Sequence, residues 1–141
     1  MIRRSFIAEV RHVWSSDEAL DKDHPSFDWQ AFVKTGDLAH VPAKENAQLA
    51  VFHLRPLSRQ RFLRVWGSGA EPLQMRHDAV AFGLRRVTGF EVDGRAVELE
   101  FQSVDGEERV TPRVLDQLFD PMLFLELGER ILELSRISPL R

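Results

Sequence analysis

The chain has neither cysteine nor tyrosine among its 141 residues. Without cysteine there is no disulfide framework, no thiolate metal site and no cysteine nucleophile, which is compatible with a reducing cytoplasm. The aromatic content is instead ten phenylalanines and three tryptophans, a choice that favours burial over polar aromatic recognition. No apolar run approaches the roughly 20 residues needed to cross a bilayer. The start, Met1-Ile-Arg-Arg-Ser, is followed by a segment broken by Glu9, Arg11 and His12, so neither a signal peptide nor membrane association is expected. A basic surplus is missing too. The net charge of −3 argues against general nucleic-acid binding, which normally shows as a strongly basic surface.

Motifs of chemistry are equally scarce. The histidines His12, His24, His40, His53 and His77 never fall at the three- or four-residue spacing of a helical metal site. Asp21 and Asp23 suggest a calcium loop, but Pro25 stands at its third ligand position and Ser26 where the sharp turn needs glycine. The glycines at Gly67-Ser-Gly69 lack the Lys-Ser/Thr that would make a phosphate loop, and no serine sits in a Gly-x-Ser-x-Gly elbow. Glu98/Glu100 and Glu107/Glu108 fall in a predicted exposed hairpin, where water keeps carboxylates ordinary. The expectation is a non-enzyme with no catalytic residue, no metal, no cofactor and no small-molecule substrate.

What the chain does have is a clear change of pattern within 49–66. Leu49 to Leu54 is a short, bounded apolar run, as in a core strand, and Pro56 removes a backbone donor after it. Ser58 can cap a helix in which Phe62, Leu63 and Trp66 recur at helical spacing, with Arg59, Arg61 and Arg64 on the wetter sides. This stretch holds four arginines and no acid, whereas Glu91 to Glu108 holds seven acids against Arg95 alone. Opposite charge of this kind is satisfied either by two solvated faces that touch within the fold or by a head-to-tail contact between copies.

Before this stretch the pattern is weaker. Phe6, Ile7, Val10, Val13 and Trp14 share a helical face, while Phe6, Ala8 and Val10 also alternate as in a strand, and both readings stand. Residues 15–26 read as a loop or extended arm. Ser26 is a fair cap for a short helix through Lys34, with Trp29, Phe32 and Val33 buried and Gly36 as the stop.

After it, Pro72 opens a second helix in which Leu73, His77, Val80, Leu84 and Val87 form a core stripe that Met75, Ala79 and Phe82 widen, and Gly89 ends it. Asp93-Gly94 and Asp105-Gly106 are strong hairpin signals, and with Val97, Leu99 and Phe101 alternating they predict a three-stranded meander paired to the Leu49–Leu54 strand. Thr111-Pro112 and Asp120-Pro121 start two further helices. The first carries Val114, Leu115 and Leu118. The second runs to about Arg136 with Leu123, Leu127, Ile131 and Leu134 on one face, broadened by Met122, Leu125 and Leu132.

The expected class is α+β: a small antiparallel β-sheet of about three to four strands packed with about four helices, with an irregular N-terminal arm. The expected organisation is an arm or subdomain with one short helix over 1–48 and a core domain over 49–141. The partner-binding candidates are the arginines Arg55, Arg59, Arg61 and Arg64, together with Phe82, Leu125 and Leu132 on the two wide apolar helices.

The order Val51-Phe-His-Leu-Arg-Pro-Leu-Ser-Arg, a helix ending Ala81-Phe-Gly-Leu-Arg-Arg-Val-Thr-Gly89, an acidic hairpin and Glu126-Leu-Gly-Glu-Arg-Ile-Leu-Glu-Leu-Ser-Arg-Ile-Ser138 resembles small proteins encoded among the head and tail genes of tailed bacteriophages and prophages. The likeness covers about 49–138, leaves the first 48 residues unexplained, and rests on architectural motifs. It implies a structural virion protein, such as a minor capsid, head–tail connector or tail component. Such a protein acts in oligomeric contacts with other phage proteins, and is found in the virion and, during assembly, the host cytoplasm. A non-virion tail or capsid assembly chaperone is the alternative it implies.

Overall fold

A computed structural model describes residues 9–25, 27–28, 30, 43–45 and 47–137. Most of the short helix expected over 26–34 and most of the loop after it lie outside the described residues. In chain order the elements are β1 (Val10–His12), β2 (Val51–Leu54), α1 (Arg59–Trp66), α2 (Pro72–Gly83), β3 (Leu84–Thr88), β4 (Glu91–Val92), β5 (Arg95–Ala96), β6 (Phe101–Val104), β7 (Glu107–Val110), α3 (Pro112–Leu118) and α4 (Pro121–Ile137). The fold is α+β, with small antiparallel sheets and four helices among the described residues.

The strand β2 organises the largest sheet because its neighbours come from both sides of the sequence. Phe52 and Leu54 point into the core while Val51 and His53 are half-buried, the period of two that a strand requires. The sheet order is β1-β2-β3, all antiparallel, with His12 and Val87 flanking Phe52. Val10 to His12 is therefore strand, which decides between the two readings of that segment where it is described. Residues 10–12 join the core sheet at this point. The segment after them is held where Asp17 Oδ2 accepts from the Ala50 amide at 3.0 Å.

Two expectations about this region are corrected. The helix opened by Pro72 stops at Gly83 and not at Val87, because Leu84 to Thr88 is taken up by the β2 ladder. Leu84 and Val87 fit the helical spacing, yet Val87 and Thr88 are β-branched and an available strand partner outweighs weak local preference. Gly89 ends a strand, not a helix. The predicted meander is also divided: β4 pairs only with β5 and β6 only with β7, and β2 pairs with neither hairpin. Both predicted turns are present, with positive φ at Asp93 and Asp105 and at the glycine after each, as the tight two-residue hairpin loop demands. Between the hairpins, Val97 bonds back to Phe90 O and buries its side chain in the core.

The helices enclose the core. Ser58 Oγ accepts from the Arg61 amide at 3.1 Å to cap α1, and Asp120 Oδ1 does the same for α4 from Met122 and Leu123. Val114, Leu115 and Leu118 of α3 are buried, as are Leu123, Leu127, Ile131 and Leu134 of α4. The α2 and α4 helices touch through glycines. A Cβ on Gly83 would stand 2.6 Å from Ile131 Cγ2, and one on Gly128 would stand 2.7 Å from Arg76 Cα and O. Two missing side chains thus allow one backbone to approach the other.

Candidate functional site

The oppositely charged stretches meet inside one chain. Arg61 Nε donates to Glu107 Oε2 at 2.9 Å while Ser58 Oγ donates to Glu107 Oε1 at 2.6 Å, so one hairpin carboxylate binds the helix cap and the helix side chain together. Arg64 donates to Asp105 at 3.1 Å, Arg85 to Glu108 at 3.1 Å, and Arg113 to Glu100. The basic helix and the acidic hairpin are partners within the fold, which overturns any need for a head-to-tail contact to neutralise them.

Arg61 is the unusual member, only 9% exposed. Its guanidinium lies 3.9 Å above the centre of the Phe82 ring and pairs with Glu107, so the cation sits between an aromatic face and a carboxylate. This corrects the expected orientation of α1. Arg61 and Val65 form its buried face, whereas Leu63 and Trp66 are 59% and 52% exposed. Capping at Ser58 and the pull of Glu107 set the rotation of the helix, and apolar spacing does not. Phe62 stacks on Trp66 with ring centres 5.9 Å apart.

The other candidates separate in the structure. Phe82 joins Arg61 in the interior and Leu132 is buried as well, since α2 and α4 turn these side chains toward the core and not toward a partner. Leu125 and Arg55 are half-buried, and Arg59 and Arg64 are exposed. A second exposed apolar pair, of which the sequence pattern marks only Met122, lies at the α3–α4 corner. Phe119 and Met122 are open there, with Phe119 packed edge-on against Phe124. His77 is a boundary residue, its ring 5.4 Å from that of Phe124.

Sequence reasoning missed one polar cluster entirely, because Glu126 lies more than a hundred positions from His12 and Ser15. Buried His12 places Nε2 2.8 Å from Glu126 Oε2, the Ser15 amide donates to the same oxygen at 2.9 Å, and Ser15 Oγ donates to Glu126 Oε1. Burial on its own would push the Glu126 carboxyl up. The hydrogen bonds from His12 and from the Ser15 side chain and backbone outweigh it and hold the group below the usual carboxylate range. His12 and Ser15 both bond the carboxylate, not each other. The arrangement therefore ties the arm to α4 and does not prime the serine hydroxyl with an imidazole base.

Among the described residues, no group of three or more His, Cys, Asp or Glu is placed to hold a metal ion, and no helix is long and apolar enough to cross a membrane. In comparisons with known proteins, no family model, no curated protein and no solved structure matches the chain.

Proposed function

We propose that this chain is a structural protein of tailed-phage particles, a minor capsid, head–tail connector or tail component, working through contacts with other phage proteins. The phage assignment rests on the resemblance carried by 49–138. The docking role has its own support in one observation: Leu63 and Trp66 stand open on the outer side of a helix that is capped by Ser58 and anchored by Arg61. Large apolar side chains held open on a rigid support suit the centre of a protein interface, where tryptophan is enriched among the residues that matter most. Oligomeric contacts in the virion, after passage through the host cytoplasm, follow from this reading.

A second reading, a non-virion assembly chaperone, is favoured by the other apolar pair. Met122 is 64% exposed beside Phe119, and methionine adapts to several partners. Mass spectrometry of washed particles separates the two. Stoichiometric presence supports the structural role. Absence from particles, with recovery on an unassembled tail or capsid protein, supports the chaperone. Absence from both overturns the phage assignment.

A further inference from the structure

We propose that the cavity between the N-terminal arm and the turn from β3 to β4 receives the cationic end of a lysine or arginine side chain from a partner polypeptide. The hollow measures about 320 Å3, and its lining includes Trp14, Phe52 and Phe90 together with Asp17, Glu18 and Glu91. Phe52 is fully buried and meets Phe90 edge-on with ring centres 6.0 Å apart, while Trp14 and Phe90 are themselves only half-buried.

Charge and shape restrict the occupant. Three acidic residues line the hollow and, among the described residues, no Lys, Arg or His does. Asp17 is fixed in place, with Oδ1 accepting from the Ala19 amide at 2.9 Å and Oδ2 from the Ala50 amide at 3.0 Å. The exposed carboxylates of Glu18 and Glu91 engage no other described residue. An anion would be repelled. A neutral apolar group would gain nothing from the carboxylates, and among the described residues no group of three or more His, Cys, Asp or Glu is placed to hold a metal ion.

An organic cation satisfies both kinds of wall, because its charge is attracted to carboxylates and to aromatic faces while its methylene stem prefers the rings. The volume lies at the low end of the about 300–1,000 Å3 typical of ligand pockets, which admits a side chain and is too small for a helix, while the acidic lining refuses the phosphate of a nucleotide. That the cation arrives on a polypeptide rests on the docking role proposed above.

The test uses the full chain labelled at the indole nitrogens, with the three signals assigned by Trp14→Phe, Trp29→Phe and Trp66→Phe. N-acetyl-lysine amide, N-acetyl-arginine amide and the uncharged N-acetyl-norleucine amide are titrated in turn. The Trp14 signal should move saturably with both cations and not with norleucine. A Glu18→Gln/Glu91→Gln double variant, both substitutions being on exposed side chains, should keep the same unfolding transition and bind the cations about tenfold more weakly. A silent Trp14 signal, an equal response to norleucine, or a response indifferent to the double variant overturns the site. Tetramethylammonium is the probe for source. Binding weaker than that of a lysine-containing tripeptide supports a polypeptide, and tighter binding overturns that assignment. Absence of the chain from phage particles leaves these titrations unchanged, so the two proposals fail separately.

Discussion

His12 Nε2 lies 2.8 Å from Glu126 Oε2, joining β1 to α4 across 114 positions of sequence. The same carboxylate also holds Ser15 through its amide and its hydroxyl, so one side chain carries much of the attachment of the arm.

Replacing it should therefore loosen the arm. Glu126→Gln keeps the shape but removes the charge that the three donors satisfy, and is expected to cost about 1–3 kcal/mol in urea unfolding. The pH dependence has a defined sign. Because the folded carboxyl is held below its ordinary value, its stabilisation is complete above the unfolded carboxylate range and is lost as pH falls through the depressed folded value. The native chain should lose stability with acidification through that window, and Glu126→Gln should show a flatter profile. Equal slopes in the two proteins would contradict the assignment.

Arg61 offers a test of the helix–hairpin contact. Arg61→Ala uncovers Phe82 and leaves Glu107 without its guanidinium, a loss of about 2–4 kcal/mol for a largely buried pair. Glu107→Gln should be milder, since Ser58 remains bonded to an oxygen at that position. A double-mutant cycle should give a coupling of about 1–3 kcal/mol, and additive losses would show the two groups to be independent.

The two glycines between α2 and α4 should respond differently to a methyl group. Gly128→Ala drives its new carbon against the backbone of Arg76, which cannot turn aside, so a loss of about 2–3 kcal/mol should outweigh the helix-propensity gain of about 1 kcal/mol. Gly83→Ala meets the side chain of Ile131. Combining it with Ile131→Val should recover part of its loss, measured by thermal unfolding, whereas the same rescue should do nothing for Gly128→Ala.

The exposed face of α1 should matter for assembly more than for folding. Leu63→Ser is expected to change stability by within about 0.5 kcal/mol, as open surface positions do, and Trp66→Ser to cost about 1 kcal/mol through loss of its stacking on Phe62. If the face docks a neighbour, the double variant should be depleted from particles while remaining folded. Undiminished incorporation would remove α1 from the interface.

Much of the local architecture was legible. Asp93-Gly94, Asp105-Gly106, the Ser58 cap and the prolines at 72, 112 and 121 each act over a few residues, and each marks an element boundary in the structure. What escaped was set by distant partners. The rotation of α1 follows Glu107, the end of α2 follows the β2 ladder, and the burial of His12 follows Glu126. Of the expected interaction residues, Arg61, Phe82 and Leu132 belong to the interior. A charged or wide apolar helix face looks the same in sequence whether the surface that covers it belongs to the same chain or another.

The placement of β1 at one edge of the sheet sets an order of events during synthesis. Its strand neighbour is made about forty residues later, and its anchor on α4 follows His12 by 114 positions. Pairing with β2 can therefore precede the bond to α4, so this strand is fastened in two steps that synthesis separates.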